Sequence, residues 1–463
     1  MAAEWYSLAE VLAVAKSHPF YNPDILYPAN ADSVQASRNS VIGHETEPKL
    51  QEQPLLEKKT LYKVIARLTH DKDPRNTYRH SSYMSITGGG SGGIPMFFAV
   101  DAHENRQQRA QMGKFLRVSG VIEPGDVVLS VHTAGDFYRS LDLTTETMEN
   151  AGATVLSAGC YMPTPEVAKA LADYHVNALT GDGTQVINVI FAISMMVQSD
   201  RDRICLDKII YTSEPLTSPQ RDFVKTVLGD IKITSIIGSS EAGPWAVSNP
   251  DLTGEQSLTS GCVDFVFDTR HVLLEILPCS VLDGASLSDK TPLPYGERGI
   301  IVQTSLQRLR NPLVRYITGD VGSLHPLPEG ANASVPHADR VHLRVLRLQG
   351  RDQRFSFKWN GCYFEFDKIE AVMQQDEYGI LQWQIVLGKL ETSPQATLEI
   401  RLFRCPPRDG ILSMDELKER LGAFFVFCSQ NAHLSRIVFL NDVDGFQRST
   451  TAGKVIKFLD HWN

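Results

Sequence analysis

From about residue 60 to residue 350 short apolar runs alternate with stretches of helical periodicity, and this alternation constrains the fold more than any other feature of the chain. Strands that are apolar on both faces are stable only between layers of helices, so a layered α/β domain is expected. Gly125-Asp126 introduces a strand at 127–131, a helical pattern follows at 143–150, and 153–156 reads as the next strand. The series continues with a strand at 208–211, a helix over 218–228 and a strand at 231–237. Near residue 270 the texture changes, and 271–277 and 299–306 look like strands joined by a loop rich in Pro, Gly and Asp, as in a β-rich subdomain. A second unit begins near Gly350, with helical patterns at 367–374 and 414–424 and strands at 382–387, 396–403 and 436–439. The expected organisation is a large layered N-terminal α/β domain over residues 1–350 and a small α+β domain over 351–463.

A chain of 463 residues exceeds what one hydrophobic core sustains, in keeping with this division. The net charge of -9 and the absence of a Lys/Arg run exclude nucleic acid as the expected partner. Seven scattered cysteines form no CxxC pair, which argues for reduced thiols in the cytoplasm and against a cysteine zinc site. The N-terminal segment reads as an amphipathic helix without the features of a secretion signal. The longest apolar stretch, 186–197, is interrupted by Asn188 and Ser194 and is too short to span a bilayer, so no membrane is expected. Oligomeric state is not legible.

The segment Thr87-Gly88-Gly89-Gly90-Ser91-Gly92-Gly93-Ile94-Pro95 packs five glycines and two hydroxyls into nine residues between two strand-like stretches. A polyphosphate needs exposed backbone N–H groups and close main-chain approach, which glycine permits without steric cost. The loop lacks the Gly-Lys-Ser/Thr of a Walker A motif, and a strand rather than a helix follows it. Taken alone, it reads equally as a phosphate cradle or a flexible surface loop.

Its place in a series of motifs decides between these. Tyr211-Thr212-Ser213-Glu214-Pro215-Leu216-Thr217, Ile237-Gly238-Ser239-Ser240-Glu241-Ala242-Gly243, Gly296-Glu297-Arg298-Gly299 and Asn311 through Asp320 follow in order, then Gly350-Arg351-Asp352 and Ser449-Thr450-Thr451-Ala452-Gly453-Lys454. Together they resemble the ANL superfamily of adenylate-forming enzymes, and the phenylacetate–CoA ligase-like branch in particular. That branch opens much like Ser17-His18-Pro19-Phe20-Tyr21 and ends like Gly453-Lys454 through Asp460. The resemblance spans almost the whole chain. It implies an acid–thiol ligase that uses ATP and magnesium to convert a carboxylic acid into its acyl-AMP, releasing pyrophosphate. It also implies a mobile C-terminal lid. Coenzyme A is the acceptor implied by the branch, with an amine or a carrier-protein thiol as alternatives.

The resemblance assigns roles residue by residue. Lys454, Ser240 and Glu241 are the catalytic candidates, with Lys454 bridging the acid and the α-phosphate, Ser240 donating to that phosphate and Glu241 holding magnesium. ATP or AMP is assigned to Thr87, Gly88, Gly89, Gly90, Ser91, Gly92, Gly93, Ser213, Glu214, Pro215, Ile237, Gly238, Ser239 and Ser240. Asp320 is expected to accept from both ribose hydroxyls, and Arg351 to reach ribose or phosphate. By position, His132, Gly135, Phe137, Tyr138, Asp182 and Gly183 line the acyl pocket, where the aromatics favour a planar or apolar acid. Two positions depart from the pattern: Ile94 replaces a lysine, and Ile237 replaces an aromatic residue that stacks on adenine. Two other readings stand beside this one, a degenerate adenylate-binding protein and an acyltransferase using His132 of His132-x-x-x-Asp136 as general base.

Overall fold

The computed structural model describes residues 5–41, 49–86, 97–135, 137–212, 216, 218–254, 262–283, 291–333, 335–351, 356–390, 395–404, 409–441, 445–447 and 455–462. The chain divides into two compact units that part between Gly350 and Arg351.

In the first unit the strands are β1 (Ser82–Ile86), β2 (Phe97–Asp101), β3 (Val127–Ser130), β4 (Ala134–Gly135), β5 (Tyr138–Arg139), β6 (Thr154–Ser157), β7 (Ala178–Asp182) and β8 (Lys208–Thr212). They continue with β9 (Lys232–Ser239), β10 (Gly243–Ser248), β11 (Val263–Asp268), β12 (Val272–Leu277), β13 (Gly299–Ser305), β14 (Tyr316–Pro326) and β15 (Leu343–Arg351). Eleven of them form one sheet in the order β12-β13-β14-β15-β11-β10-β9-β8-β7-β3-β6. From β6 to β9 every pairing is parallel, and the connections run through helices such as Thr164–Asp173, Gly183–Ser194 and Ser218–Leu228. The expected layered α/β arrangement is therefore present. From β9 onward pairing turns antiparallel, so the β-rich texture near residue 270 extends the same sheet.

The reason is visible in the side chains. Ile209, Ile210 and Tyr211 of β8 are all buried, because helices cover both faces of the parallel half. One core cluster on that half joins Leu129, Leu179 and Ile209 to Val186, Ile190 and Ile193 of the helix Gly183–Ser194. On the other face, the helix Ala102–Val118 contributes Met112, Phe115 and Leu116 to a cluster with Val128, Ile210 and Val247. A third cluster lies under the antiparallel half and takes in Leu61, Ile65 and Leu68 of the helix Lys58–His70.

The N-terminal segment is fastened to the strand motif around residue 315 by polar groups. Tyr21 Oη lies 3.2 Å from the carbonyl oxygens of Pro312 and Val314 and accepts from Val314 N at 2.6 Å. His18 Nε2 meets Asn311 Oδ1 at 3.2 Å, and burial pushes the imidazole down to about 3, so the ring is neutral. Arg315 is fully buried and forms a two-pronged ion pair with Glu275, Nε to Oε2 at 2.9 Å and Nη2 to Oε1 at 3.0 Å. Its Nη1 donates to the carbonyls of Gln51 and Gln53, each at 2.9 Å. One guanidinium thus ties residues 51–53 to β12 at the start of β14. Leu56 completes the junction by exchanging backbone hydrogen bonds with Arg315 and Ile317.

The second unit holds a hairpin of β16 (Ser356–Trp359) and β17 (Cys362–Glu365) and a four-stranded sheet. That sheet comprises β18 (Ile380–Lys389), β19 (Ala396–Arg404), β20 (Ser435–Leu440) and β21 (Phe458–Asp460), in the order β20-β19-β18-β21. Its core is unusually aromatic, joining Trp359, Phe364, Phe424 and Phe425 to Ile385, Ile400 and Leu421.

Removing one partner of a buried ion pair leaves the other charge uncompensated, at a cost of about 3–5 kcal/mol. Arg315→Leu is therefore expected to destabilise the first unit by that amount in urea unfolding, and Arg315→Leu with Glu275→Leu to recover at least half of it. Equal loss in the single and double variants would show that the pair is not the source.

Candidate functional site

The parallel half of the sheet ends along one edge, at residues Ser130, Asp182, Thr212 and Ser239. Ligands of open α/β sheets bind outside such carboxyl ends, where backbone groups and loop side chains converge. The assigned residues His132, Asp182, Gly183, Gly238, Ser239, Ser240 and Glu241 all fall on or just past this edge.

Glu241 occupies the centre of the reversal Ser240–Ala242 between β9 and β10, where the chain turns from parallel to antiparallel pairing. Ser239 Oγ accepts from Ala242 N at 3.0 Å and closes the turn. Glycine is required twice here. Gly243 has φ +71°, and a Cβ on it would lie 2.6 Å from Gln108 Oε1; a Cβ on Gly238 would lie 2.9 Å from the Gly243 carbonyl and Pro244 Cα.

Beneath the turn runs a buried polar stripe on the helix Ala102–Val118, formed by Glu104, Gln108 and Gln111. Gln108 Nε2 donates to the Ala242 carbonyl at 2.8 Å and to Gln307 Oε1 at 3.1 Å, and Gln307 Nε2 donates to Gln111 Oε1 at 2.5 Å. Arg308, 1 % exposed, donates from Nη1 to the main-chain oxygen of Glu241 and lies 5.5 Å above the Phe98 ring. Burial lowers its guanidinium to about 10, so it stays cationic at neutral pH. The carboxylate of Glu241 is reached from other elements: Tyr62 Oη donates to its Oε1 at 2.7 Å and Tyr316 Oη at 3.1 Å. Tyr62 stands on the helix Lys58–His70 and Tyr316 opens β14, and the Leu56–Tyr316 bridge fixes the two segments to each other. Glu241 is buried, with a residue exposure of 7 %.

Farther along β14, Asp320 follows Gly319 at φ +81°, and its N–H donates to Thr318 Oγ1 at 3.0 Å while that hydroxyl donates to Ile301. His132 is buried, with Nε2 3.2 Å from Thr180 Oγ1, and burial pushes its pKa down to about 4. Asp182 has a structural duty that its sequence position did not announce: it caps the helix Gly183–Ser194 in a reciprocal capping box with Gln185. Gly135 and Tyr138 pair across the small β4–β5 hairpin, and Phe137 at its tip is 68 % exposed, with φ +64° and its ring edge-on to Phe97 at 5.4 Å. Ile237 is half-buried against the cluster that holds Trp245 and Ala246.

Thr87, Gly88, Gly89, Gly90, Ser91, Gly92, Gly93 and Ile94 lie outside the described residues, as do Asp136, Ser213, Glu214, Pro215 and Lys454. Their flanks are defined. β1 and β2, which bracket the glycine segment, pair in register from Ser82–Asp101 to Ile86–Phe97. Residues 447 and 456, which bracket Lys454, are brought together by Ile456 N to Gln447 O at 3.1 Å. Gln384, fully buried on β18, donates to both of their carbonyls at 2.9 and 2.7 Å. Arg351 ends β15.

No group of three or more His, Cys, Asp or Glu side chains among the described residues is arranged to hold a metal, and no helix among them is long and apolar enough to cross a membrane. No disulfide joins the described cysteines.

No family model matches the chain. A phenylacetate–coenzyme A ligase of Thermus thermophilus is 26 % identical over 202 residues, 43 % of this chain and 40 % of the relative, so the match spans less than half of that protein. A crystal structure of 2-hydroxyisobutyryl-CoA ligase, in complex with 2-HIB-AMP and CoA, superposes with TM-score 0.67 at 16 % identity over 97 % of this chain and 87 % of its own. An amide bond synthetase from Marinactinospora thermotolerans gives TM-score 0.53 at 15 % identity over 82 % and 68 %. The fold is that of adenylate-forming ligases, and the resemblance read from the motifs is borne out.

Glu104 offers a test of this buried scaffold. It accepts from Leu309 N at 2.9 Å, yet burial pushes its carboxyl up to about 7, well above its ordinary 4.5, and Asp101 adds to the rise. A raised folded value means that the native state holds the proton more tightly than the unfolded chain. The stability linked to this group is therefore fully present below 4.5 and lost as pH rises through 7. At one to two pH units above 7 the loss is roughly 3 kcal/mol. The difference in unfolding free energy between wild type and Glu104→Gln, followed from pH 4 to pH 8, is expected to slope by about that amount; a flat difference would contradict the assignment.

Proposed function

We propose that this protein is an adenylate-forming acid–thiol ligase: it joins a carboxylic acid to AMP from ATP, releases pyrophosphate, and passes the acyl group to a thiol, coenzyme A in the first instance. The observation that carries this reading is the buried Glu241 turn at the carboxyl edge of the parallel strands. A buried carboxylate of the hard-oxygen kind that magnesium prefers, the Ser240 residue and close-packed glycine backbone meet at one reversal, which supports the reading. The match to a phenylacetate–coenzyme A ligase, which is partial, supports the same reaction class.

A single protein carboxylate suits magnesium, which keeps several waters and is completed by substrate phosphates rather than by an all-protein cage. When bound, the ion supplies charge neutralisation on the phosphates. In the first half-reaction an oxygen of the acid's carboxylate forms a bond to the α-phosphorus, the bond from that phosphorus to the bridging oxygen breaks, and its electron pair leaves with pyrophosphate. Ser240 donates its hydroxyl to an α-phosphate oxygen, and Lys454 places an ammonium between that oxygen and the acid, where negative charge accumulates. Asp320 accepts from the ribose hydroxyls, Arg351 reaches ribose or phosphate, and the segments 87–93 and 213–215 contact phosphates and adenine. His132, Gly135, Phe137, Tyr138, Asp182 and Gly183 border the acid, and Phe137 and Tyr138 favour a planar or apolar one. In the second half-reaction the acceptor thiolate attacks the acyl carbon and AMP leaves. The unit over 351–463 acts as the lid that brings Lys454. The reaction is placed in the cytoplasm, where cysteines scattered without pairing stay reduced.

His132, whose Nε2 lies 3.2 Å from Thr180 Oγ1 and whose imidazole burial pushes down to about 4, is a weak base, which supports pocket lining over the general base of an acyltransferase.

Pyrophosphate release across aryl, arylacetic and aliphatic acids, with and without coenzyme A, tests the reading. One acid class is expected to drive release, and Lys454→Ala to slow it by about 100-fold or more while ATP still binds, the scale for losing one electrostatic contact in a transition state. ATP binding with no release for any acid would favour a degenerate adenylate-binding protein.

A further inference from the structure

Two phenol hydroxyls converge on one oxygen of a buried carboxylate at the candidate site, and neither tyrosine belongs to the Ile237–Gly243 segment that holds Glu241. Tyr62 comes from 179 residues upstream and Tyr316 from 75 residues downstream, and both donate to Oε1. Tyr316 is 3 % exposed and Tyr62 is half-buried. Arg308 reaches the same residue but donates to its main-chain oxygen, so the guanidinium stiffens the turn.

We infer that Tyr62 and Tyr316 are positioning residues for the divalent cation that accompanies ATP, acting through Glu241; this rests on the reading of Glu241 as that cation's protein ligand. Donors satisfy the lone pairs of a buried carboxylate that would otherwise go unmet. A lysine or arginine at the same distance would do so too, but would cancel the charge the cation needs. A phenol donates without bringing net charge. Two donors on one oxygen also fix the plane of the carboxylate, as outer-shell partners do for metal ligands, where their loss typically costs 10–100-fold in metal affinity. The Leu56–Tyr316 bridge and the helix starting two residues later hold both phenols to one frame, so the carboxylate is oriented before any nucleotide arrives.

The test uses the full chain with Mn²⁺ and α,β-methylene-ATP, reading bound Mn²⁺ by electron paramagnetic resonance alongside the melting temperature of the ligand-free protein. Tyr62→Phe and Tyr316→Phe are each expected to raise the Mn²⁺ dissociation constant about tenfold. Metal-free nucleotide binding and the melting temperature should stay close to wild type. In turnover, the Mg²⁺ concentration for half-maximal rate should rise by a similar factor, while the rate at saturating Mg²⁺ falls less than about twofold. A purely structural role would lower the melting temperature and leave the cation constant unchanged, which would overturn the inference. Unchanged Mn²⁺ binding in both tyrosine variants, with weakened binding in Glu241→Gln, would overturn it while sparing Glu241 as ligand. Unchanged binding in Glu241→Gln would remove the reading on which it rests. Should Tyr316→Phe fail to fold, Tyr62→Phe, on the half-buried side, decides alone.

Discussion

Parallel pairing ends at β9, and the chain must reverse within three residues to lay β10 antiparallel beside it. A reversal this tight admits only a small set of residues, and it leaves its central side chain at the sheet's carboxyl edge. Gly238 and Gly243 supply the close approach and the positive φ, Ser239 closes the turn, and Glu241 takes the position that remains. Gln108 of the polar stripe then follows from necessity. A turn buried under a helix exposes carbonyls that need donors, and an apolar helix face would leave the Ala242 oxygen unpaired at a cost of about 1–3 kcal/mol.

The same logic separates two kinds of tyrosine in the molecule. Tyr21 holds backbone, bridging Pro312 and Val314, and belongs to the N-terminal motif that marks the branch. Tyr62 and Tyr316 hold a carboxylate. Arg315 in the Asn311–Asp320 motif is structural too, since its guanidinium is spent on Glu275 and on two carbonyls. Residues that share a motif therefore include some whose side chains are spent on the frame.

Much of the fold was legible because its elements are long and strongly periodic. The helices expected at 218–228 and 414–424 are present over Ser218–Leu228 and Met414–Phe424, and the strand expected at 208–211 runs one residue further. Short elements escaped, such as the β4–β5 hairpin of two residues a side, which has no length over which a period can show. Of the site, the Ser239–Glu241 turn was readable because local small residues define it. Tyr62, Arg308, Glu104 and Gln108 were not, because each acts across more than 60 residues of chain through burial alone. A buried Arg or Gln looks in sequence like any surface one. The capping duty of Asp182 was missed for a different reason: Asp-x-x-Gln at a strand end was read as part of a pocket, though the spacing is also that of a helix start.

The Arg315 clamp also sets an order of events at the ribosome. Its partners at Gln51 and Gln53 are separated from it by 264 and 262 residues. At roughly 5–20 residues per second, a translating chain makes the N-terminal segment wait on the order of 13–50 s for the guanidinium that will hold it. Throughout that interval Leu56, buried in the finished protein, has nothing to pack against in the strand it will join. The first unit consequently cannot close segment by segment as it emerges. Residues 51–56 cannot be secured in their final place before Arg315 has emerged, and until then they stay open to chaperones and proteases.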